Sequence, residues 1–384
     1  MGPIVRMLRL LLAPDTAPRR PASRRPRFDL LEGRVVPSAT NYVGFAYGPY
    51  VGQWITGRSG KQPPAFNAYG SGNWSVQKQI DLLGAHTAEI ATYSAGYAGY
   101  YKPTTPWNQV DSAWRVGGAA AAFNKHAGRL ALTISQGIYQ QVQNGGILNP
   151  LMTAEIDGAF HIAKNANATF AGTVRRLVFT NEYVTDATTT TQVDHLVEKY
   201  KAEAHKLGLQ VGVRSNTFGQ LTNAKSSYLT QLQKLVKDVD FIMLNLYPSS
   251  EAKGTAAGAA DVESQYRNIK AAALKVNPKV HVLIGETGWA TQGISFNDLT
   301  GKHNTVANAR AYYNAIAKWA DANKVETFYF EGIDEPWKSN LNQQGGNPWT
   351  GPDGAEGHYG LWMYNTSTPD GRFVSKWLSA RRAT

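Results

Sequence analysis

Eight short apolar runs, separated by longer stretches with helical periodicity, constrain this chain more than any other feature of it. The runs cover residues 42–47, 88–93, 130–135, 176–180, 210–214, 241–246, 280–285 and 327–331. Between them lie helix-patterned stretches at 75–84, 108–127, 152–167, 191–207, 226–238, 262–275 and 303–323, with a last one near 373–381. Strands that are apolar almost throughout are what a parallel sheet buried on both faces requires. Eight of them alternating with eight helices predict an α/β chain folded as a single (β/α)8 TIM barrel rather than an open doubly wound sheet. No glycine-rich phosphate loop follows any run, which argues against a nucleotide fold.

The barrel is expected over 41–384. Residues 1–40 have a different character: they are rich in Pro and carry eight Arg against three acidic residues, a net +5. The whole chain is +11, so the body keeps +6 over 344 residues. A packed domain does not begin this way, and the segment is expected to be disordered and basic. Its stretch Leu31-Glu32-Gly33-Arg34-Val35-Val36-Pro37-Ser38 is similar to a segment near the N-terminus of many exported bacterial proteins. Export or sorting, and hence a secreted or cell-envelope location, is one reading; an arm with no such role is the other. The body holds no block of Lys/Arg interleaved with aromatics, so nucleic acid is not an expected partner. No apolar stretch reaches the length of a membrane span. The absence of cysteine excludes disulfides, thiolate metal sites and a Cys nucleophile. Eight scattered histidines form no His-x-His or His-Glu-x-x-His pattern, so neither a catalytic metal nor another cofactor is expected.

In such a barrel the reacting groups sit at the C-terminal ends of the strands. Strand four ends in Thr180-Asn181-Glu182, strand six in Asn245-Leu246-Tyr247-Pro248, and strand seven in Gly285-Glu286-Thr287-Gly288-Trp289. Strand eight runs into Glu331-Gly332-Ile333-Asp334-Glu335-Pro336-Trp337-Lys338, and strand one into Tyr47-Gly48. A bare carboxylate at the end of an apolar strand is costly unless paired or used. A lone one is more often an ion-pair partner. Two on facing strands suit glycoside cleavage, in which one acid protonates the leaving oxygen and the other attacks or stabilises the anomeric carbon. Asn181 would donate to a sugar hydroxyl, and Trp289 would offer a flat platform to a pyranose face.

Taken together, these motifs resemble glycoside hydrolase family 17, the 1,3-β-glucanase and 1,3-β-glucan transglycosylase family of retaining (β/α)8 enzymes. The carrying segments are Glu286–Trp289, Phe330–Lys338, Asn245–Pro248 and His358-Tyr359-Gly360-Leu361, in that family's order. The resemblance implies Glu182 as general acid/base and Glu286 as nucleophile. It implies Glu331, Glu335 and Lys338 as a supporting network among the substrate-binding residues, with Lys338 near enough to keep Glu286 ionised. Tyr47 and Tyr247 would line the subsite of the reacting sugar, Tyr247 also bonding the nucleophile. Three positions depart from the pattern: Thr180 stands where the family usually has Gly, Ala290-Thr291 where it has Pro-Ser, and strand two lacks an Arg before Tyr93-Ser94.

The expected function is a retaining, endo-1,3-β-glucanase-like hydrolase acting as a monomer on β-glucan by double displacement. Transfer to another sugar, a galactan- or mannan-active barrel of the same clan, and a non-catalytic glycan-binding barrel are the alternatives. His358 is placed equally at substrate or in a structural role. Trp337, Trp349, Tyr359 and Trp362 are expected to pack the long tract 338–360, with one or two on sugar, and Trp114 and Trp319 to lie in the core.

Overall fold

The computed structural model describes residues 42–51, 75–96, 112–340, 348–365 and 372–379. The basic segment 1–40, the first residues of the predicted helix 108–127, part of the tract 338–360 and the side chain of Trp337 lie outside the described residues. In chain order the barrel consists of β1 (Val43–Ala46), α1 (Val76–Gly84), β2 (Glu89–Ala91), α2 (Val116–Ala127), β3 (Thr133–Ile138) and α3 (Pro150–Thr169). It continues through β4 (Val174–Asn181), α4 (Ala187–Lys206), β5 (Gln210–Ser215), α5 (Leu229–Asp238), β6 (Phe241–Asn245) and α6 (Thr255–Val276). It ends with β7 (His281–Thr287), α7 (Val306–Asn323) and β8 (Thr327–Tyr329). All neighbours pair in parallel, and β8 closes on β1 through Val43–Thr327 and Phe45–Tyr329, giving a closed eight-stranded barrel.

Each predicted strand is present, with one displaced. The third begins at Thr133 rather than 130 because Asn124 of α2 captures the preceding backbone. Its Oδ1 accepts from the amides of Ala131 and Leu132, and its Nδ2 donates to the Leu132 carbonyl. The predicted last helix is a correction. Residues Arg372–Ser375 form β10, antiparallel to β9 (Trp362–Asn365), and only the short helix α8 (Lys376–Ser379) follows. Phe373 and Val374 favour an extended backbone, and Trp362–Asn365 offers a sheet edge to pair with.

Helix starts follow local chemistry. Asn149 caps α3 ahead of Pro150 by accepting from the amides of Leu151 and Met152. Asp186 and Thr189 form a reciprocal capping box on α4. Ala46, Ala91, Val178, Met243, Leu283 and Phe328 pack against one another inside the barrel.

The N-terminal floor of the barrel is ionic. Arg176 projects from β4 into the interior, with Nη1 2.8 Å from Glu89 and Nη2 2.5 Å from Glu326, and its guanidinium lies 5.4 Å from the centre of the Phe241 ring. Arg175 pairs with the same two carboxylates from a more exposed position. Burial pushes the Glu89 carboxyl up, and the two arginines oppose it. Breaking a buried pair from one side strands the remaining charge. Arg176→Met should therefore cost about 3 kcal/mol in chemical denaturation, against at most about 1 kcal/mol for Arg175→Met, whose charge is partly solvated. Equal losses would show that the floor does not depend on the buried guanidinium.

Candidate active site

Strict alternation along a strand cannot bring the key side chains to the barrel mouth. Val178 and Leu283 face the interior, so residues three further on, Asn181 and Glu286, would face the helices. The register shifts in β4 between Phe179 and Asn181, and in β7 around Gly285, turn both residues inward. Bulges of this kind re-aim a side chain at the end of a strand. In β4 the bulge puts Thr180 at φ 62° and Glu182 at φ 56°. A β-branched residue is strained there, which explains why glycine suits that position. The Thr180 hydroxyl is also buried without a hydrogen-bond partner.

At the mouth, Glu286 uses its two oxygens differently. Tyr247 donates its hydroxyl to Oε2 at 3.1 Å, while Oε1 carries no hydrogen bond and lies 3.7 Å from Nε of Arg214. Glu182 stands opposite, with Oε1 accepting from Nδ2 of Asn245 at 2.9 Å and its amide donating to the Arg214 carbonyl. Asn181 accepts from Arg214 Nε at 2.8 Å through Oδ1. Its backbone is clamped on both sides by Gln140, which donates to the Asn181 carbonyl and accepts from the Asn181 amide. Burial pushes the Glu286 carboxyl up to about 7; Arg214 pulls it down, and the nearby charge of Glu182 pushes it up again.

Behind this pair, Lys338 bridges Glu331 at 3.2 Å and Glu335 at 2.6 Å. Burial lowers the Lys338 ammonium, but the two carboxylates outweigh it and carry the lysine above its ordinary value. Burial likewise drives Glu331 well above the carboxylate range, with Lys338 opposing and Glu335 adding to the rise. Tyr247, Phe330 and Tyr359 form an edge-to-face aromatic cluster beside the site.

The structure thus brings together Glu182, Glu286, Asn181, Tyr247 and the Glu331–Lys338–Glu335 network. Four expectations need correction. Trp289 is no sugar platform: it is 0 % exposed, packs against Tyr312, and donates its indole N–H to the His303 carbonyl in the helical layer. Tyr47 is 1 % exposed and directs its hydroxyl at Gln79 of α1, 2.7 Å away. Glu331 and Glu335 are buried against Lys338 and hold it rather than facing a ligand. The cation in ion-pair range of Glu286 is Arg214 of β5, while Lys338 is engaged with its own carboxylates.

Other positions also resolve. The His358 carbonyl accepts from Thr291 and from Lys376, which in turn pairs with Asp334, while its half-buried ring meets the Gln292 amide at 3.1 Å. Trp319 is core, whereas Trp114 is partly buried and stacks on His161. Sequence reasoning missed Arg214, Gln140 and the partnership of Asn245 with Glu182. The available signal for Arg214 was a charge closing the run 210–214, at the same strand level as the carboxylates.

Residues 126–360 match the BtgE/BtgC glycoside hydrolase domain family. The chain is 35% identical over 86 residues, 21% of its length, to a glucan 1,3-beta-glucosidase of Arthroderma benhamiae. It spans about a quarter of that relative, 24%. Among solved structures, it is similar to an endo-laminarinase from Formosa Hel1_33_131, with a TM-score of 0.61 and 18% identity over 85% of this chain and 84% of the other. It is also similar to a Rhizomucor miehei beta-1,3-glucanosyltransferase, an active-site mutant in complex with laminaritriose. There the TM-score is 0.54 and the identity 18%, over 86% of this chain and 97% of the other. At these identities the structural likeness speaks for the fold.

A raised carboxyl makes Glu286 a stability liability. The folded form holds its proton more tightly than the unfolded chain does, so its contribution to stability is full below the ordinary carboxyl range. That contribution is lost as pH rises through about 7. Glu286→Gln should therefore stabilise the protein by roughly 2 kcal/mol at pH 8, and by little at pH 4.5. Thermal melts at both pH values test this; an equal gain at both would refute the burial account.

Proposed function

The chain belongs to the BtgE/BtgC glycoside hydrolase domain family, and on that premise we propose that it is a retaining enzyme of 1,3-β-linked glucan. The observation that carries the reading is the division of labour at Glu286: Oε2 is held by Tyr247, and Oε1 is left without a hydrogen bond in a buried site facing Glu182. In the first step Oε1 attacks the anomeric carbon, the glycosidic C–O bond breaks, and Glu182 gives its proton to the departing oxygen. A covalent glycosyl ester on Glu286 results. In the second step Glu182 takes a proton from water, the water oxygen attacks the same carbon, and Glu286 leaves as carboxylate.

Arg214 pairs with Glu286 and bonds the side chain of Asn181 next to Glu182, so both carboxylates are held at one mouth; retention calls for about 5–5.5 Å between them. Arg214 occupies Oδ1 of Asn181, leaving Nδ2 for a sugar hydroxyl. If a second sugar hydroxyl replaces water in the second step, the same residues give transfer. Export to the envelope or medium is part of this proposal and rests on the segment Leu31–Ser38.

Incubation with defined 1,3-β-gluco-oligosaccharides is the direct test. Shorter products alone indicate hydrolysis, longer ones transfer, and no product with retained binding indicates a glycan-binding barrel. Glu286→Gln should abolish turnover and leave binding intact. Glu182→Ala should lose activity on glucan, yet recover much of it on an aryl glycoside whose leaving group needs no proton. No recovery would remove Glu182 from the acid role. Because the nucleophile must be ionised, kcat/KM should fall as pH drops below about 7. A limb near pH 4 would contradict the burial of Glu286.

A further inference from the structure

Arg214 is one of the largest fully buried side chains of the protein, and a buried guanidinium is costly unless its charge is answered. Its neutral partners are Asn181 Oδ1 at 2.8 Å, the Thr92 carbonyl at 3.1 Å, and the Tyr93 ring, whose centre lies 4.0 Å away. Among the described residues, the carboxylate in ion-pair range is Glu286, 3.7 Å from Nε. Nη1 has no hydrogen-bond partner, and neither has Glu286 Oε1.

The backbone makes room for this residue. A Cβ at Gly285, next to Glu286, would stand 3.0 Å from Arg214 Cδ and 2.7 Å from Met243 Cβ. A side chain at 285 would thus push the guanidinium from its place. The groups facing Glu286 from the surrounding strands are Glu182 on β4, Arg214 on β5, Tyr247 after β6 and Tyr93 after β2. Glu331 and Lys338 lie near Tyr93, and the Lys338 charge is answered by Glu331 and Glu335. Arg214 is therefore the cation that offsets repulsion between the two mouth carboxylates.

We propose that Arg214 is a positioning residue for glycoside cleavage, holding the charge of Glu286 while orienting the Asn181 amide toward the reacting sugar. This rests on the retaining reading above. Formation of the glycosyl ester removes the negative charge beside Arg214, and the second step restores it. The guanidinium thus favours departure of the carboxylate as well as its ionised resting state. One residue on β5 thereby couples the nucleophile on β7 to the sugar-contacting residue on β4.

The test is the pH profile of kcat/KM for Arg214→Gln and Arg214→Lys on an aryl β-1,3-gluco-oligosaccharide, with thermal melts and glucan binding measured alongside. Arg214→Gln should lose about a hundredfold at pH 7, the scale of removing one preorganised charge-stabilising donor. Its acid limb should move up by about one pH unit or more, as expected when an opposite charge is withdrawn from a carboxylate. Activity should recover in part at higher pH, with little change in KM. Arg214→Lys keeps the charge but not the fork, so its limb should stay near wild type while kcat falls. A limb that stays put in Arg214→Gln, with loss uniform across pH, would overturn the proposal as a purely structural effect. So would a limb raised by a unit in Arg214→Lys, which also decides the matter if the Gln variant does not fold. If instead Glu286→Gln keeps the wild-type rate, the retaining reading fails, whatever Arg214 does. If Glu286→Gln is inactive and Arg214→Gln is unimpaired, the present inference alone fails.

Discussion

Closure of the sheet, β8 hydrogen-bonded to β1, is the constraint from which the rest of this molecule follows. Parallel neighbours demand a crossover between strands, so helices wrap the outside and strands become apolar on both faces. Closure also sends every strand end of one polarity to one rim. Residues from β4, β5, β6, β7 and the β8 connection, separated by up to 156 positions between Glu182 and Lys338, therefore share a single mouth.

A closed barrel has a dry interior, and this one carries charge at both ends of it. At the floor, Arg176 is answered by two carboxylates and buried for structure. At the mouth, Arg214 is answered by one carboxylate at longer range, and an oxygen of that carboxylate is left without a hydrogen bond. The contrast is physical: a satisfied buried pair holds shape, whereas an under-satisfied one keeps a reactive atom available. The raised Glu286 carboxyl and the strained Thr180 belong to the same pattern, in which the site gives up stability for geometry.

Much of this was legible from one dimension. The eight apolar runs set the barrel, and asking which polar residues end them led directly to Glu182, Glu286, Asn181 and Tyr247. The same question put to strand five would have returned Arg214; its place at the end of an apolar run was the clue. Trp289 and Tyr47 were misjudged because a residue just past a strand end can point to either layer. The indole finds its acceptor at His303, and the Tyr47 hydroxyl finds Gln79 on α1; both partners are remote in sequence. The resemblance offered Lys338 as the cation for Glu286, and only the packing revealed that its own carboxylates, Glu331 and Glu335, take it up.

The sequence alone determined the number, order and parallel pairing of the strands, because apolar periodicity reports burial and burial on both faces admits few architectures. Tertiary structure decided which way each terminal side chain faces. A bulge shifts the two-residue alternation by one, and the bulges at Thr180 and Gly285 arise in the pairing of β4 with β5 and of β7 with β6 and β8. Those two shifts turn Asn181 and Glu286 from the helical layer into the mouth, where the carboxylate meets Arg214 and Tyr247.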